Sequence, residues 1–398
     1  MIGRALLLLR ESLMPDLEER VVARLRRGRQ WRKLFNYLLV ELQTGLGTPR
    51  LFVGKPYWLT IDPTNSCQLK CPFCPTGAGR GVRDKATMSL ERFRQVMDIL
   101  GPTLIHIDFM NWGEPLLNKD LWAMVALAKR DGIDTMVSTN LNLLRAGEAD
   151  ALLDSGLDRL VLSIDGLEQA TYERYRVGGD FAVVVANLKT LVRRRRERGL
   201  VKPRIAWQFL AFKHNEHEAD RVRAFSLGLG VDEVGVTPAY LPFRPGVKDE
   251  WLPTRSDLRL YDPESFPESP PWQWEESGPR EENGAAPQVK VEVYAAGKGS
   301  PRRRCNWPWA GIAINPDGSV SPCCSVEEQE YDFGRFFTES FSRLWNNEKY
   351  AQARRHVSSY AAGRTEAIPA SRHACERCFS IGQSRFQFPH SWLSEAGG

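Results

Sequence analysis

The feature that most constrains the fold is a regular alternation of short apolar strands and amphipathic helices between residues 57 and 238. One helix is predicted to begin after Ser89, a typical N-cap residue. Six strand–helix units in a row favour a parallel sheet, either an open doubly wound sheet or a partial barrel. Both folds place the reactive site at the carboxyl ends of the strands. The predicted strands are Trp58–Ile61, Ile105–Phe109, Thr135–Ser138, Arg159–Ile164, Ile205–Leu210 and Glu233–Thr237.

Three cysteines follow the first predicted strand. Cys67, Cys71 and Cys74 lie within eight residues, so one loop can bring three thiolates to a single metal centre. Thiolates are soft ligands that suit iron–sulfur clusters and zinc. A cubane cluster with three cysteine ligands leaves one iron open, as an open position marks a catalytic zinc site. Spacing alone leaves two alternatives, a zinc loop completed by a distant residue and three unrelated buried thiols.

The Cys-x3-Cys-x2-Cys spacing after the first strand resembles the signature of the radical S-adenosylmethionine superfamily. In that family the open iron of a 4Fe–4S cluster binds S-adenosylmethionine, which is cleaved to a 5′-deoxyadenosyl radical that abstracts a substrate hydrogen. The resemblance implies a partial (β/α)6 barrel and a 4Fe–4S cluster held by the three cysteines. It also implies S-adenosylmethionine as a cofactor and a reducing partner such as flavodoxin or ferredoxin.

Short segments at the ends of the next three strands are similar to further motifs of the same family. Each segment alone is typical of a turn, but their shared order at strand ends supports the resemblance. Trp112 stands where the family's Gly-Gly-Glu-Pro motif has its first glycine. The resemblance implies that Glu114 accepts a hydrogen bond from the methionine amino group and that Arg176 lies near the methionine carboxylate. The segment containing Ser163 would meet the ribose. The implied cofactor-binding residues are Gly113, Glu114, Ser138, Asn140, Ser163, Asp165 and Arg176.

Five further cysteines lie between residues 305 and 378. The last two form a Cys-x2-Cys pair, and by spacing alone the set could also hold structural zinc. The stretch resembles the SPASM/twitch extension of radical enzymes, which carries auxiliary 4Fe–4S clusters. The full SPASM form uses seven cysteines for two clusters, so five imply one cluster in a shortened, twitch-like form. Cys324 is interpreted as a small buried thiol, and the choice between it and its neighbour stays open. The implied ligands are Cys305, Cys323, Cys375 and Cys378.

The chain divides by composition into four predicted domains. They are a basic helical N-terminal extension (1–56), the barrel (57–240), an irregular insertion or lid rich in Pro, Trp and charge (241–303), and a small cysteine-rich auxiliary-cluster domain (304–398). Residues 1–50 hold ten Arg and Lys against five Asp and Glu, whereas the rest of the chain holds 44 of each sign. The extension is interpreted as packing its apolar stripe over the open side of the barrel. The alternative is peripheral contact with an anionic membrane surface through residues 1–50.

No apolar run approaches the roughly 20 residues that span a bilayer, and no clear signal peptide is present. We therefore expect a cytoplasmic protein, with a peripheral position on the inner membrane surface as the alternative. A reducing cytosol disfavours disulfides among the eight cysteines. We expect no nucleic-acid partner.

The resemblance specifies the initiating radical step and leaves three substrate classes open. The favoured interpretation is a dehydrogenase-type oxidoreductase that oxidises an alcohol of a sugar- or cyclitol-like small molecule, with the auxiliary cluster as electron acceptor. The first alternative is maturation of a ribosomal peptide by crosslinking. The all-helical segment of about 56 residues before the barrel counts against it, because such enzymes often carry a winged-helix leader-binding domain there. The second alternative is modification of a lipid or lipid-linked glycan. No catalytic base stands out by pattern.

Overall fold

The computed structural model describes residues 18–80, 83–145, 147–242, 244–260, 263–264, 266, 305–361 and 375. Its centre is a nine-stranded sheet in the order β6-β5-β4-β3-β2-β1-β7-β8-β9. Strands β1 to β7 all run parallel to one another, β8 pairs antiparallel with β7, and β9 pairs antiparallel with β8. The strands are β1 (Trp58–Ile61), β2 (His106–Phe109), β3 (Asp134–Thr139), β4 (Arg159–Ser163), β5 (Arg204–Ala211), β6 (Glu233–Pro238), β7 (Gly311–Ile314), β8 (Ser319–Ser321) and β9 (Gly334–Arg335).

Helices connect the parallel strands and flank the sheet. Between residue 18 and β1 the structure describes two helices, α1 (Glu19–Arg27) and α2 (Trp31–Gly45). Those between β1 and β6 are α3 (Leu90–Leu100), α4 (Leu121–Arg130), α5 (Glu148–Asp154), α6 (Gln169–Tyr175), α7 (Phe181–Glu197) and α8 (Ala219–Gly228). After β6 come α9 (Val247–Trp251), α10 (Trp307–Ala310), α11 (Phe341–Trp345) and α12 (Glu348–Ala361).

The expected α/β class with a parallel sheet core is confirmed. Every predicted barrel strand lies within one residue of the observed strand at each end. The predicted Ser89 cap is also confirmed, because its side chain accepts a hydrogen bond from the Arg92 backbone N–H at 3.2 Å. Helix α3 then buries one apolar face against the sheet, as its spacing predicts. Strands β1 to β6 are neighbours in chain order, which favours a partial barrel over a doubly wound sheet, whose strand order reverses at a switch point.

The cysteine-rich C-terminal region adds strands to the same sheet. Strand β7 pairs in parallel with β1, with Leu59 opposite Ile312 and Ile61 opposite Ile314. Strands β8 and β9 extend the sheet from there. Strand β1 ends six residues before Cys67, so the auxiliary strands are attached beside the strand that precedes the cysteine loop.

A buried arginine ties the segment after the cysteine loop to the C-terminal strands. The Arg83 guanidinium donates to both carboxylate oxygens of Asp332 at 2.6 and 2.7 Å, and to Ser319 Oγ at 2.7 Å. The two charged side chains are 7% and 12% exposed. Breaking a buried pair leaves one charge without its partner, which costs several kcal/mol.

We therefore expect Arg83→Met to lower the free energy of unfolding by about 3 kcal/mol. The shift in the urea midpoint of the reconstituted protein measures this loss. Arg94→Met is the matched control, because its pair with Glu91 is exposed and contributes no more than about 0.5 kcal/mol. The double variant Arg83→Met/Asp332→Leu should regain part of the loss. Equal midpoints for Arg83→Met and Arg94→Met would contradict the bridging role.

The N-terminal helices pack against the amino ends of the strands. Glu41 of α2 is buried and accepts a hydrogen bond from Tyr57, the residue before β1, at 2.8 Å. Lys33 donates to the backbone carbonyl of Asp131, before β3, at 2.7 Å. The predicted helices are present, but α2 lies at the amino end of the sheet and not over its open side, because these polar contacts hold it there. No described helix is both long and apolar enough to cross a membrane.

Candidate functional site

An open cavity lies at the carboxyl ends of β1 to β4. Its empty space, including the part open to solvent, is about 620 Å³. All three cysteines of the first loop line this cavity, and so do six of the seven predicted cofactor-binding residues. The residues brought together are Cys67, Cys71, Cys74, Gly113, Glu114, Ser138, Asn140, Ser163 and Arg176. Parallel strands bring their carboxyl ends to one edge, which is why segments up to 109 residues apart in sequence meet here.

The cysteine loop is a compact turn stabilised by its own backbone. The Cys74 N–H donates to the Cys71 carbonyl at 3.2 Å. Gly77 packs so closely that a Cβ there would lie 2.5 Å from the Cys71 nitrogen, so the turn requires glycine. Burial and, to a lesser extent, the nearby Glu114 carboxylate raise the pKa of Cys67 to about 12, against the Leu69 N–H, which lowers it.

The donor set of this loop fits an iron–sulfur cluster. It consists of three soft thiol ligands from one turn, all facing the same cavity. Among the described residues, no three His, Cys, Asp or Glu side chains are arranged to hold a single metal ion. In a cubane, by contrast, each cysteine binds a different iron. A cluster with three cysteine ligands accepts one further ligand at its open iron. The part of the cavity lined by polar side chains has room for that ligand.

The Gly113–Glu114 segment lies directly against the start of the cysteine loop. The Glu114 N–H donates to the Ser66 carbonyl at 2.8 Å. A Cβ on Gly113 would lie 1.6 Å from the Thr64 carbonyl oxygen, so only glycine allows this approach. The sequence motif thus has a steric basis, which is contact with the backbone between β1 and Cys67.

The Glu114 carboxylate is buried and orders the end of β3. Its oxygens accept hydrogen bonds from Thr139 Oγ1 at 2.5 Å, the Asn140 N–H at 2.9 Å and the Leu116 N–H at 3.1 Å. Burial raises the pKa of Glu114, and these donors lower it. Oε2 accepts one of these bonds, which leaves a lone pair for a further donor. The predicted bond to the methionine amino group stays a prediction.

Asp165 lies behind the cavity wall. The family resemblance of the sequence had implied instead that it contacts the cofactor. Its carboxylate is fully buried and accepts from the Leu210 N–H at 2.7 Å and from Arg176 Nε at 2.6 Å. The ion pair raises the pKa of Arg176. Arg176 Nη1 lies 3.9 Å from Cys71 Sγ. In this structure Asp165 therefore orients Arg176 toward the cysteine loop.

An aromatic cluster supports the same loop. Phe73, between two of the cysteines, packs on Trp251 with ring centroids 4.8 Å apart, and Tyr175 packs on Phe212 at 4.4 Å. The Arg244 guanidinium lies 5.6 Å from the centre of the Phe73 ring. Two of these residues belong to the segment predicted as an irregular insertion. Its lack of periodicity gave no signal that its first part packs on the cysteine loop.

Three of the four predicted auxiliary ligands are described. Cys305 and Cys375 pack against the main hydrophobic core, and the Ser325 N–H approaches Cys323 Sγ at 3.4 Å. The fourth, Cys378, lies outside the described residues. Sequence spacing gave no motif for His356. Burial lowers the pKa of its ring overall, although a hydrogen bond to the Cys375 backbone raises it.

Cys324, interpreted as a spare thiol, lies beside Asp108 of β2. Burial and, to a lesser extent, the Asp108 carboxylate raise the pKa of Cys324 to about 11. The choice between Cys323 and Cys324 as a ligand stays a prediction.

Two family models match the chain. The radical SAM superfamily model matches residues 61–206, and the SPASM iron–sulfur cluster-binding domain matches residues 305–379.

Three curated relatives illustrate matches that cover more than half of this chain. A PqqA peptide cyclase of Ruegeria pomeroyi is 24% identical over 84% of this chain and 83% of its own length. The mycofactocin maturase MftC of Mycobacterium ulcerans is 24% identical over 80% and 83%. A GTP 3′,8-cyclase of Erythrobacter litoralis is 26% identical over 53% of this chain and 67% of its own length.

One solved structure with a similar fold is Streptococcus suis SuiB bound to the precursor peptide SuiA. It superposes with a TM-score of 0.52 at 15% identity, over 80% of this chain and 70% of that chain.

Proposed function

Because this chain is a radical S-adenosylmethionine enzyme with a C-terminal SPASM iron–sulfur domain, we propose that its substrate is a peptide, which it modifies after hydrogen abstraction. The observation that carries the proposal is the match to a peptide cyclase over 84% of this chain. A second relative over a similar span is a maturase.

The same comparisons weigh against the interpretation favoured from sequence. Oxidation of a sugar- or cyclitol-like alcohol is the activity of none of the three curated relatives described above. The match to the GTP 3′,8-cyclase covers 53% of this chain, whereas the matches to the maturase and the peptide cyclase cover 80% and 84% of it. The peptide alternative is therefore the better supported of the substrate classes.

When bound, the 4Fe–4S cluster and S-adenosylmethionine supply a 5′-deoxyadenosyl radical at the carboxyl ends of the strands. Cys67, Cys71 and Cys74 would hold the cluster through their thiolates. Glu114 would accept a hydrogen bond from the methionine amino group, using the lone pair that its protein donors leave. Arg176 would place a positive charge beside the methionine carboxylate, in the orientation fixed by its bond to Asp165.

The auxiliary region would contribute to the proposed reaction through its position beside the barrel. Strand β7 pairs with β1, which leads directly into the cysteine loop. Cys305, Cys323, Cys375 and Cys378 would hold a second cluster on this side of the barrel. Such a cluster would accept the electron that remains when a crosslink forms with net loss of two hydrogens from the peptide. An external reductant such as ferredoxin would supply the initiating electron.

Deuterium transfer tests the substrate class without knowledge of the substrate. Cells grown in deuterated medium are fractionated into peptides, water-soluble small molecules and organic-soluble lipids. Each fraction is added to the reconstituted enzyme with S-adenosylmethionine and dithionite, and deoxyadenosine is examined by mass spectrometry. The radical takes its hydrogen from the substrate, so we expect deuterium in deoxyadenosine only with the peptide fraction.

The Cys71→Ala variant, which is expected to form no deoxyadenosine, controls for deuterated deoxyadenosine already present in the cell fractions. Transfer from the small-molecule fraction alone would restore the alcohol-oxidation interpretation. Transfer from the lipid fraction alone would place the enzyme in lipid modification. Either outcome would overturn the peptide proposal.

A further inference from the structure

Helix α2 is apolar on two opposite sides. Its inner side, with Leu34, Tyr37 and Val40, is buried against the barrel. On its outer side Trp31 and Phe35 are 58% and 71% exposed. At 100° per residue, the half-buried Leu39 and Leu42 and the C-cap residue Leu46, which is 60% exposed, continue the outer side. The residues of the α2 outer face are therefore Trp31, Phe35, Leu39, Leu42 and Leu46.

Exposed apolar side chains are concentrated around this face. The described chain has eleven large exposed apolar residues, and five of them lie between residues 31 and 53. Both Trp31 and Phe35 are aromatic. Single exposed apolar residues are ordinary, whereas a concentration of them marks an interaction surface.

The surface beside the α2 outer face is positively charged. Four exposed arginines lie at the end of α1 and the start of α2, namely Arg26, Arg27, Arg29 and Arg32. The single acidic residue between positions 26 and 46 is Glu41, which is 2% exposed and bonded to Tyr57. No acidic side chain of this segment therefore neutralises the exposed arginines.

We propose that the α2 outer face binds the surface of an anionic lipid bilayer. Apolar side chains would enter the region between headgroups and acyl chains, and the arginines would contact anionic headgroups. Tryptophan and arginine both suit this boundary, because each has an apolar body and a polar end. A two-fold dimer through the same face would bring the arginines of two copies together, which disfavours a second copy as the partner.

The position of this face defines what binding would do. Helix α2 lies at the amino ends of the strands, whereas the cavity opens at their carboxyl ends. Bilayer binding would therefore anchor the enzyme and leave its cofactor cavity free. The proposal does not depend on the substrate class of the enzyme.

Vesicle flotation with the full-length protein tests the proposal. One set of vesicles is pure phosphatidylcholine, and in the other about one lipid in three is phosphatidylglycerol. We expect the wild type to float with the anionic vesicles only, and less at high salt. Trp31→Ser/Phe35→Ser and Arg27→Gln/Arg32→Gln should each lower the bound fraction more than about tenfold. The control Val201→Ser removes an apolar side chain that is 82% exposed elsewhere and should bind as the wild type does.

Activity and size measurements separate anchoring from misfolding and from self-association. All variants should cleave S-adenosylmethionine at the wild-type rate and sediment as the wild type does. The proposal is overturned if the wild type floats with neither vesicle type or equally with both. It is also overturned if the wild type is a dimer that Trp31→Ser/Phe35→Ser dissociates.

Discussion

Replacing Cys71 by alanine is expected to abolish the formation of 5′-deoxyadenosine from S-adenosylmethionine under dithionite, to below about 1% of the wild-type rate. The thiol lies in the middle of the three-cysteine loop, is buried, and is 3.9 Å from Arg176 Nη1. The described cavity lining contains no fourth cysteine that could replace it. Iron content should fall from about eight to about four per chain, because the auxiliary cluster would remain.

Cys324→Ala is the matched control for Cys71→Ala. It also removes a buried thiol, but one interpreted as a spare, so both iron content and cleavage should stay at wild-type levels. Cleavage that survives in Cys71→Ala would contradict the assignment of the three-cysteine loop. A wild type with about four irons and intact cleavage would mean that the C-terminal cysteines hold zinc or no metal.

The strands of the barrel could be predicted from sequence because each is short, apolar and followed by a turn. Trp58–Ile61 is predicted and observed with the same bounds. The cavity could be predicted for the same reason, since strand ends locate Glu114, Ser138 and Ser163 without knowledge of any side-chain contact. The local pattern therefore predicts both the strand and the edge of the sheet at which its polar residue lies.

No local sequence pattern predicts the contacts between segments that are far apart in the chain. Arg83 and Asp332 are 249 residues apart and belong to no motif. The pairing of β7 with β1 depends on how the C-terminal region returns to the sheet. Asp165 shows a different limit of sequence analysis. A family motif indicated that the position belongs to the site but did not indicate where its side chain points. Only coordinates show that its carboxylate faces Arg176 and not the cavity.

Gly113→Ala is expected to lower the rate of S-adenosylmethionine cleavage about a hundredfold or more. The added Cβ would lie 1.6 Å from the Thr64 carbonyl oxygen and 2.9 Å from that of Ser66. Both contacts are with backbone, so no side-chain rotation relieves them, and one of the two loops must move by more than about 1 Å. Displacement of this size separates Glu114 from the cysteine loop, and misplacement of about 1 Å commonly costs a hundredfold in rate.

A second glycine tests whether the loss comes from this contact or from alanine in general. Gly228 ends α8, and a Cβ there meets no atom within 4 Å, so Gly228→Ala should keep wild-type cleavage and stability. Circular dichroism of Gly113→Ala should still show the helices of the barrel, because the contact is confined to two loops. Cleavage by Gly113→Ala within about tenfold of wild type would mean that these loops tolerate separation. The motif glycine would then need an explanation other than close approach, such as direct contact between its backbone and the cofactor.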